Sequence, residues 1–403
     1  MTTRYGAPVD VRFCKLCTAS NQRPSSVVEW QSDGTRKPTL FFNDDGVCAA
    51  CEYQAIMDTQ IDWEKREQEL RDLCSQARSK VGHYDCVVPG SGGKDSTFAA
   101  HVLKTRFGMH PLLVTWAPHM YTDVGRRNVE RWASIADHVL VTPNREVHRK
   151  LTRLAFLNLC HPFQPFIVGQ RMLGPRMSIA FGVPLVFYGE NPAQYAGPVA
   201  DNFNPRMDPR FYCYKPQAGL EPALLSGCDW VELVEEHGIR IKDLRPYAPW
   251  EDWQYKTVEV HYLGYYLKWD PQEVYYYAQQ HCGFEPNDER TEGSYSKYSS
   301  IDDKIDPLHY LTTYIKFGIG RATYDSAQEI RNGKITREEG VALVRKYDHE
   351  IPRKHLVECL EYMDIGEDVF WDTINAARPE HLWERDEYGE WHLKHAVWHE
   401  ARS

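Results

Sequence analysis

The sequence predicts a doubly wound α/β domain with a parallel sheet, preceded by a small four-cysteine module and followed by a mostly helical region. Three observations support this prediction. Short apolar segments alternate with helical stretches through the middle of the chain, which is typical of a parallel sheet that helices cover on both faces. Two Cys-x-x-Cys pairs stand near the N-terminus. Beyond residue 250 the chain is rich in aromatic residues and helical in pattern.

The apolar segments locate the strands and helices of the central domain, which we place at residues 81–245. The predicted strands are 84–89, 110–116, 138–142 and 183–189. The predicted helices are 96–107, 123–136, a stretch that ends near 159, and 170–181. Gly174-Pro175 weakens the pattern of the last helix. The crossovers between these strands should be right-handed.

The regions on either side of this domain are assigned from composition. Residues 61–80 have a charged helical pattern and are predicted to link the cysteine module to the sheet. Many Pro, Asn and Gly residues between 190 and 250 predict an irregular insertion that faces the substrate. Residues 246–403 are predicted to be mostly helical. Within them, Thr336 and Glu339 form a capping box that should open the second helix of a helix-turn-helix.

Composition and charge exclude several classes of protein. The chain has 403 residues with 42% hydrophobic and 26% charged residues, and its net charge is −10. Binding to long polyanions depends on Lys and Arg, so we expect no nucleic-acid partner. No apolar run approaches the ~20 residues of a membrane helix, and the first ten residues lack a signal-peptide pattern. We therefore expect no membrane association and a cytoplasmic location.

Residues 1–60 are predicted to form a zinc module. Its ligands would be Cys14 and Cys17 with Cys48 and Cys51, two pairs of the spacing that tetrahedral zinc sites use. Four thiolates leave no open coordination position, so the zinc would be structural. It would supply much of the folding free energy of a segment too small for its own core. The alternatives are four unligated buried thiols and an iron–sulfur cluster.

The first predicted strand ends in a glycine-rich turn, Pro89-Gly90-Ser91-Gly92-Gly93-Lys94-Asp95-Ser96, that leads directly into a helix. Consecutive glycines let the backbone approach a bulky anion, and a helix N-terminus offers N–H groups and the positive end of a dipole. The serines add hydroxyl donors, the lysine adds a cation, and the aspartate can hold Mg²⁺. This turn is therefore predicted to hold the pyrophosphate part of a nucleotide at the carboxyl end of a parallel strand. The predicted nucleotide-binding residues of this turn are Ser91, Gly92, Gly93, Lys94, Asp95 and Ser96.

The segment Ser-Gly-Gly-Lys-Asp-Ser in this strand-turn-helix setting resembles the PP-loop of the ATP pyrophosphatases. The resemblance implies a PP-loop (HUP-like) fold in which ATP is cleaved to AMP and pyrophosphate while a carbonyl or carboxylate oxygen is adenylated. Other motifs are similar to those of the N-acetyl sugar amidotransferase family of bacterial surface-polysaccharide and nonulosonic-acid pathways. These motifs are DGVC-x2-C at 45–51, YDC at 84–86, GENP at 189–192, YLGYY at 262–266 with Trp269-Asp270, KFGIGRAT at 316–323, EIRNG at 329–333 and ITREE at 335–339.

This second resemblance implies a reaction and its partners. The acetamido group of a sugar, UDP- or CMP-linked, would become an acetamidino group with ATP and Mg²⁺, as in lipopolysaccharide biosynthesis. A separate glutaminase subunit, with a possible barrel subunit as ammonia channel, would supply ammonia. The chemistry is consistent with the turn, because an amide carbonyl is a poor electrophile that adenylation activates. Two alternatives are a PP-loop sulfur transferase acting on tRNA and a non-catalytic nucleotide-binding scaffold.

Four further residues complete the predicted site. Glu190 follows the strand 183–189 at the same sheet edge as the turn and can bind Mg²⁺, orient the substrate amide or merely cap a loop. Lys316 and Arg321 flank a glycine-rich turn, where they would reach the α-phosphate or the pyrophosphate, or else be surface cations. Trp116 ends the second strand, where this fold would place the adenine, unless it is a core aromatic. The predicted catalytic residues are Lys94, Asp95, Glu190, Lys316 and Arg321.

Overall fold

The computed structural model describes residues 3–24, 39–190, 199–212, 224–248 and 257–399. Its centre is a five-stranded sheet in which every paired strand is parallel, in the order β3-β2-β1-β4-β5. The predicted doubly wound α/β architecture is therefore confirmed. The strands are β1 Cys86–Pro89, β2 Pro111–Trp116, β3 His138–Val141, β4 Leu185–Tyr188 and β5 Glu259–Tyr262.

Helices cover both faces of the sheet. Those before and within the sheet domain are α1 Ala49–Thr59, α2 Trp63–Ala77, α3 Lys94–Thr105, α4 Asp123–Ala133, α5 Arg145–Leu159, α6 Gln164–Phe181, α7 Trp230–Glu235 and α8 Ile241–Leu244. After β5 come α9 Leu263–Tyr266, α10 Pro271–Cys282, α11 Asp306–Phe317, α12 Arg321–Arg331, α13 Arg337–Tyr347, α14 Leu356–Met363 and α15 Glu367–Ala376. A short antiparallel pair, β6 Trp383–Arg385 and β7 Trp391–Leu393, follows within the region predicted to be mostly helical.

Successive strand residues alternate between two cores, as the pleat requires. Val87 packs with α5 and α6 on one face, whereas Val88 packs with α2, α3 and α4 on the other. Both side chains are fully buried. Such burial stabilises the fold by about 1.5–3 kcal/mol for each large aliphatic side chain, and it explains why these strands are apolar throughout.

Two elements differ from the sequence prediction. Helix α6 begins at Gln164 and continues through Gly174-Pro175. Pro175 cannot donate to the carbonyl of Arg171, which instead accepts a hydrogen bond from the Tyr188 hydroxyl at 3.5 Å. A Cβ on Gly174 would lie 2.6 Å from the Pro89 side chain, so the glycine lets α6 pack tightly on β1. The fifth strand lies beyond residue 245, where the predicted domain range ends.

The helix-turn-helix prediction is confirmed. Helices α12 and α13 contact each other, and Thr336 accepts a hydrogen bond from the Glu339 backbone while the Glu339 carboxylate accepts one from the Thr336 backbone. None of the described helices combines the length and the apolar character that crossing a bilayer requires.

The cysteine module packs against this helix-turn-helix. The Thr18 and Ser326 hydroxyls are 2.8 Å apart, and Arg337 donates to the Cys14 carbonyl at 3.2 Å. Ala327 and the partly buried Ile330 belong to the same apolar cluster as the four cysteines. The module therefore supports α12 directly, although more than 300 residues separate the two in sequence.

Candidate functional site

The glycine-rich turn and Glu190 meet because of the strand order. Strand β1 lies between β2 and β4, so the chain leaves neighbouring strands in opposite directions at this point. Such a switch point opens a crevice at the carboxyl ends of the strands, where open α/β sheets bind ligands. A Cβ on Gly189 would lie 2.9 Å from the Asp95 carbonyl oxygen. The segment after β4 thus passes directly against the start of α3.

The turn has the backbone geometry predicted for an anion cradle. Gly92 has φ +82°, and a Cβ there would lie 2.7 Å from the backbone of Val129. Gly93 is the N-cap of α3 and has no side chain to cap the helix. No side chain in the described part of the chain therefore caps the first N–H groups of α3, and such groups can bind an anion. The Ser96 hydroxyl donates to the Gly93 carbonyl at 3.1 Å and closes the turn internally.

Lys94 and Asp95 form an ion pair at the start of α3. The Lys94 ammonium donates to both oxygens of the Asp95 carboxylate, at 2.7 and 2.6 Å. Lys94 is only 9% exposed, so its charge is screened little by solvent. The pair holds both side chains next to the cradle, where a phosphate would compete for the cation and a Mg²⁺ ion for the carboxylate.

One cavity of about 470 Å³ collects most of the predicted site. This volume lies within the range of about 300–1,000 Å³ that is usual for small-molecule sites. Its lining includes the predicted residues Ser91, Gly92, Gly93, Lys94, Asp95, Glu190, Lys316 and Arg321. Residues that lie far apart in the chain are thereby brought around one space.

Two of the predicted nucleotide-binding residues lie elsewhere. Ser96 is not part of the lining. It packs against Gly90, where an added Cβ would lie 2.1 Å from the Ser96 side chain. Trp116 is 4% exposed and contacts Tyr247 edge-on, with ring centroids 5.5 Å apart. A Cβ on Gly169 would lie 2.3 Å from the Trp116 ring. The structure therefore places Trp116 in the core and not against the cavity, because the sheet directs this side chain towards α6.

Glu190 sits among charges of both signs. Burial and the neighbouring Asp95 carboxylate raise the pKa of its carboxyl, Lys94, Arg321 and Arg171 oppose the shift, and the resulting pKa is about 7. The group is thus poised to change its protonation state near neutral pH. A carboxyl of this kind can accept a proton from a reacting group or orient an amide.

Arg321 and Lys316 line the cavity but are held by different partners. Arg321 forms an ion pair with Asp325 at 3.0 Å and hydrogen-bonds the Tyr310 hydroxyl. Lys316 donates to the carbonyl of Leu159 at 3.0 Å. Leu159 is the last residue of α5. A cation at a helix C-terminus is favourable. Lys316 therefore has a structural contact in addition to any contact with a ligand.

The glycine turn before Arg321 is held by a carboxylate from α13's end. Gly320, the N-cap of α12, has no side chain, and Asp348 instead accepts hydrogen bonds from the backbone N–H groups of Gly320 at 2.8 Å and Thr323 at 2.9 Å. These N–H groups are therefore occupied. An anion in the cavity would meet the Arg321 guanidinium rather than the helix N-terminus.

The sequence analysis missed a cluster of three aspartates next to the glycine-rich turn. Ser91 hydrogen-bonds Asp302, whose burial raises its pKa, and burial raises the pKa of Asp306 to about 7. Asp303 accepts from His119 Nδ1 at 2.7 Å. The three aspartates stand within five residues, and this clustering can be seen in the sequence. Only the fold shows that the segment that carries them lies next to Ser91.

The four predicted zinc ligands converge. Cys14, Cys17, Cys48 and Cys51 are buried, and their Sγ atoms all lie within 4.8 Å of one another. The Cys14–Cys51 and Cys17–Cys48 separations are 3.9 and 3.8 Å. A tetrahedral site with Zn–S bonds of about 2.3 Å has S···S edges of about 3.8 Å, so these thiols fit a zinc ion. They form a four-sulfur site that is closed to further ligands.

Comparison with known protein families gives a match in the C-terminal region. Residues 292–397 match the family described as LPS biosynthesis protein WbpG-like, C-terminal domain. The match covers about a quarter of the chain and includes Lys316, Arg321 and helices α11 to α15. The C-terminal region is thus similar to a domain of lipopolysaccharide biosynthesis proteins.

Two further similarities are weaker. The Uncharacterized protein MJ1599 of Methanocaldococcus jannaschii is 30% identical over 82 residues, which are 20% of this chain and 29% of that protein. The chain thus matches less than a third of that relative's length. The structure of NMN synthetase from Francisella tularensis superposes with a TM-score of 0.33 at 11% identity, over 77% of this chain and 97% of that chain. Values this low support no statement about function.

Proposed function

We propose that this chain is an ATP-dependent amidotransferase that converts the acetamido group of a nucleotide-linked N-acetyl sugar into an acetamidino group, in bacterial surface-polysaccharide biosynthesis. The observation that carries the proposal is a cavity whose lining joins the uncapped glycine turn with Lys94, Asp95, Glu190 and Arg321. The similarity of residues 292–397 to a lipopolysaccharide biosynthesis domain supports the pathway.

The proposed reaction has two steps, adenylation of the acetamido oxygen and displacement of AMP by ammonia. The acetamido oxygen attacks the α-phosphorus of ATP, an O–P bond forms, and the bond to pyrophosphate breaks. Ammonia then adds its electron pair to the activated carbon, the C–O bond to AMP breaks, and a proton leaves. The products are the acetamidino sugar, AMP and pyrophosphate.

The residues around the cavity have distinct roles in this scheme. The N–H groups at the start of α3 and Lys94 stabilise charge that develops on the departing pyrophosphate, while Arg321 neutralises the α-phosphate. Asp95 would hold Mg²⁺, which supplies further charge neutralisation on the phosphates. Glu190 accepts the proton that the attacking ammonia loses, which its pKa near 7 allows at neutral pH.

Ammonia is the nucleophile, and we propose that a separate glutaminase subunit delivers it, with a barrel subunit as a possible channel. Most ammonia is protonated at neutral pH, so delivery from a partner would raise its local concentration. The purified chain should therefore use ammonium salts but not glutamine as the nitrogen source.

The alternatives have less support from the described residues. A sulfur transferase acting on tRNA needs a cysteine in its pocket, and none of the described residues that line this cavity is a cysteine. The net charge of −10 also disfavours tRNA binding. A non-catalytic scaffold has no use for Lys94 and Asp95 paired beside an uncapped helix N-terminus.

The proposal is tested by incubating the protein with ATP, Mg²⁺, ammonium chloride and UDP-N-acetylglucosamine, UDP-N-acetylgalactosamine or CMP-N-acetylneuraminic acid. We expect AMP and a sugar product that is lighter than its substrate by the difference between O and NH. Mass spectrometry detects the product, and chromatography distinguishes AMP from ADP. Formation of ADP, or no AMP with any acetamido sugar, would contradict the proposal.

A further inference from the structure

Helix α12 has two faces with different partners. Arg321, Tyr324 and Gln328 line the cavity at the three- and four-residue spacing of one helix face. Ala327 and Ile330, on another face, pack in the apolar cluster of the four cysteines. Helix α12 therefore connects the cysteine module to the wall of the cavity that lies outside the parallel sheet.

The cysteine module also contributes a residue of its own to this wall. Arg23 is 3% exposed and lines the cavity. Its guanidinium lies 4.3 Å from the centre of the Tyr324 ring, a distance typical of cation–π stacking. The module thus places a buried, delocalised cation on the cavity surface. Guanidinium groups of this kind suit phosphates, which they bind with two parallel hydrogen bonds.

Gln328 offers hydrogen-bonding capacity that none of the described residues uses. Its side chain is half-buried and makes no hydrogen bond to any residue in the described part of the chain. A primary amide provides two donors and one acceptor oxygen, which a ligand in the cavity can use. The neighbouring Asp325, in contrast, already accepts from Ser294 at 2.5 Å and pairs with Arg321.

We infer that Arg23, Tyr324 and Gln328, here named the acceptor wall, bind the second substrate of the proposed reaction, a phosphate-bearing and hydroxyl-rich ligand such as a nucleotide-linked sugar. The inference rests on the proposed function for the identity of that substrate. In the proposed reaction the ATP phosphates bind the α3 turn and Arg321, the first residue of α12. The acceptor wall consists of residues farther along α12 and of Arg23 from the cysteine module. The amide of Gln328 pairs with sugar hydroxyls, and Arg23 pairs with the diphosphate.

The test is a calorimetric titration of the full-length, zinc-loaded protein with two probes, ATP and UDP-N-acetylglucosamine. Replacement Gln328→Leu should weaken UDP-N-acetylglucosamine binding about tenfold, and Arg23→Lys should weaken it by a similar or larger factor, because lysine cannot form the paired hydrogen bonds. The dissociation constant of ATP should change less than about twofold. Gln68→Leu, a glutamine on the exposed surface that pairs with Asp72, serves as the matched control.

Each outcome has a definite meaning. Weaker ATP binding in Gln328→Leu would overturn the inference, because the wall would then serve the nucleotide. Unchanged binding of both probes in a variant with wild-type thermal stability would also overturn it, as would a wild-type protein that does not bind UDP-N-acetylglucosamine. Specific loss of sugar-nucleotide binding supports the acceptor wall even if no AMP is ever formed, in which case the proposed reaction alone fails.

Discussion

The two walls of the cavity are built in opposite ways. The wall at the sheet edge is local: β1, the glycine turn and the first residues of α3 are consecutive in sequence, and the ion pair joins neighbours Lys94 and Asp95. A second wall contains Arg23 of the cysteine module and Arg321 of α12, which are some 300 residues apart in sequence. The wall at the sheet edge, here named the local wall, depends on backbone conformation. The wall with Arg23 and Arg321, here named the distant wall, depends on packing between the cysteine module and α12. The two walls should therefore fail in different ways when they are perturbed.

The largest effect on activity is expected at the local wall. Lys94→Ala should reduce the rate of AMP formation by roughly 10²–10³-fold, because one preorganised charge contact with the departing pyrophosphate is lost. The fold should persist, since within the described part of the chain the Lys94 ammonium pairs with the neighbouring Asp95 and with no distant residue. Steady-state kinetics and a thermal melt measure the two quantities, with the exposed Lys65→Ala as control. A variant with normal turnover would remove Lys94 from the mechanism.

Perturbing the distant wall should act first on stability. Cys17→Ser removes one ligand of the four-sulfur site, so we expect loss of bound zinc and a fall in the free energy of unfolding of about 4 kcal/mol or more, as is usual when a structural metal is lost. Activity should fall because α12 loses its support. Metal analysis and denaturant unfolding test this, and Cys282→Ser, outside the cluster, is the control. Bound iron, or wild-type stability without metal, would contradict the zinc assignment.

Glu190, which interacts with charges of both walls, predicts that the activity depends on pH. Because the pKa of Glu190 is about 7, kcat/KM should rise about tenfold between pH 6 and pH 8 if ionised Glu190 is needed. Glu190→Gln should lower the rate and flatten this limb of the profile. An unchanged limb in the variant would assign the titration to another group.

The same group contributes to stability with a defined sign. The pKa of Glu190 is raised in the folded state, so its contribution to stability is fully present below about pH 4.5 and is lost as the pH rises through about 7. The difference in unfolding free energy between wild type and Glu190→Gln should follow that course. Denaturant unfolding at several pH values measures it.

The smallest functional effect is expected at Trp116, which belongs to neither wall. Trp116→Phe should leave the KM for ATP unchanged, because the ring packs against Tyr247 and α6 rather than the cavity. Stability should fall by about 1–3 kcal/mol, since a buried indole is replaced by a smaller ring. An increase of tenfold in the KM for ATP, without loss of stability, would restore the predicted contact with adenine.

The sequence alone determined the features that depend on neighbouring residues. The apolar strands, the glycine turn, the capping box of Thr336 and the paired cysteines each follow from local pattern, because backbone conformation and metal-ligand spacing are short-range properties. The start of α6 at Gln164 was missed, because the predicted helix began only at residue 170. The helix continues through Gly174-Pro175, since packing on β1 overrides the break that this pair suggests.

Only the tertiary structure decided which of these features share a site. The strand order sets Glu190 beside Asp95, and the packing of the cysteine module on α12 adds Arg23 to the cavity. The same sheet geometry turned Trp116 towards α6 and away from the cavity. Side-chain direction and long-range contact arise from how whole elements pack, and no pattern within a short stretch of sequence specifies that.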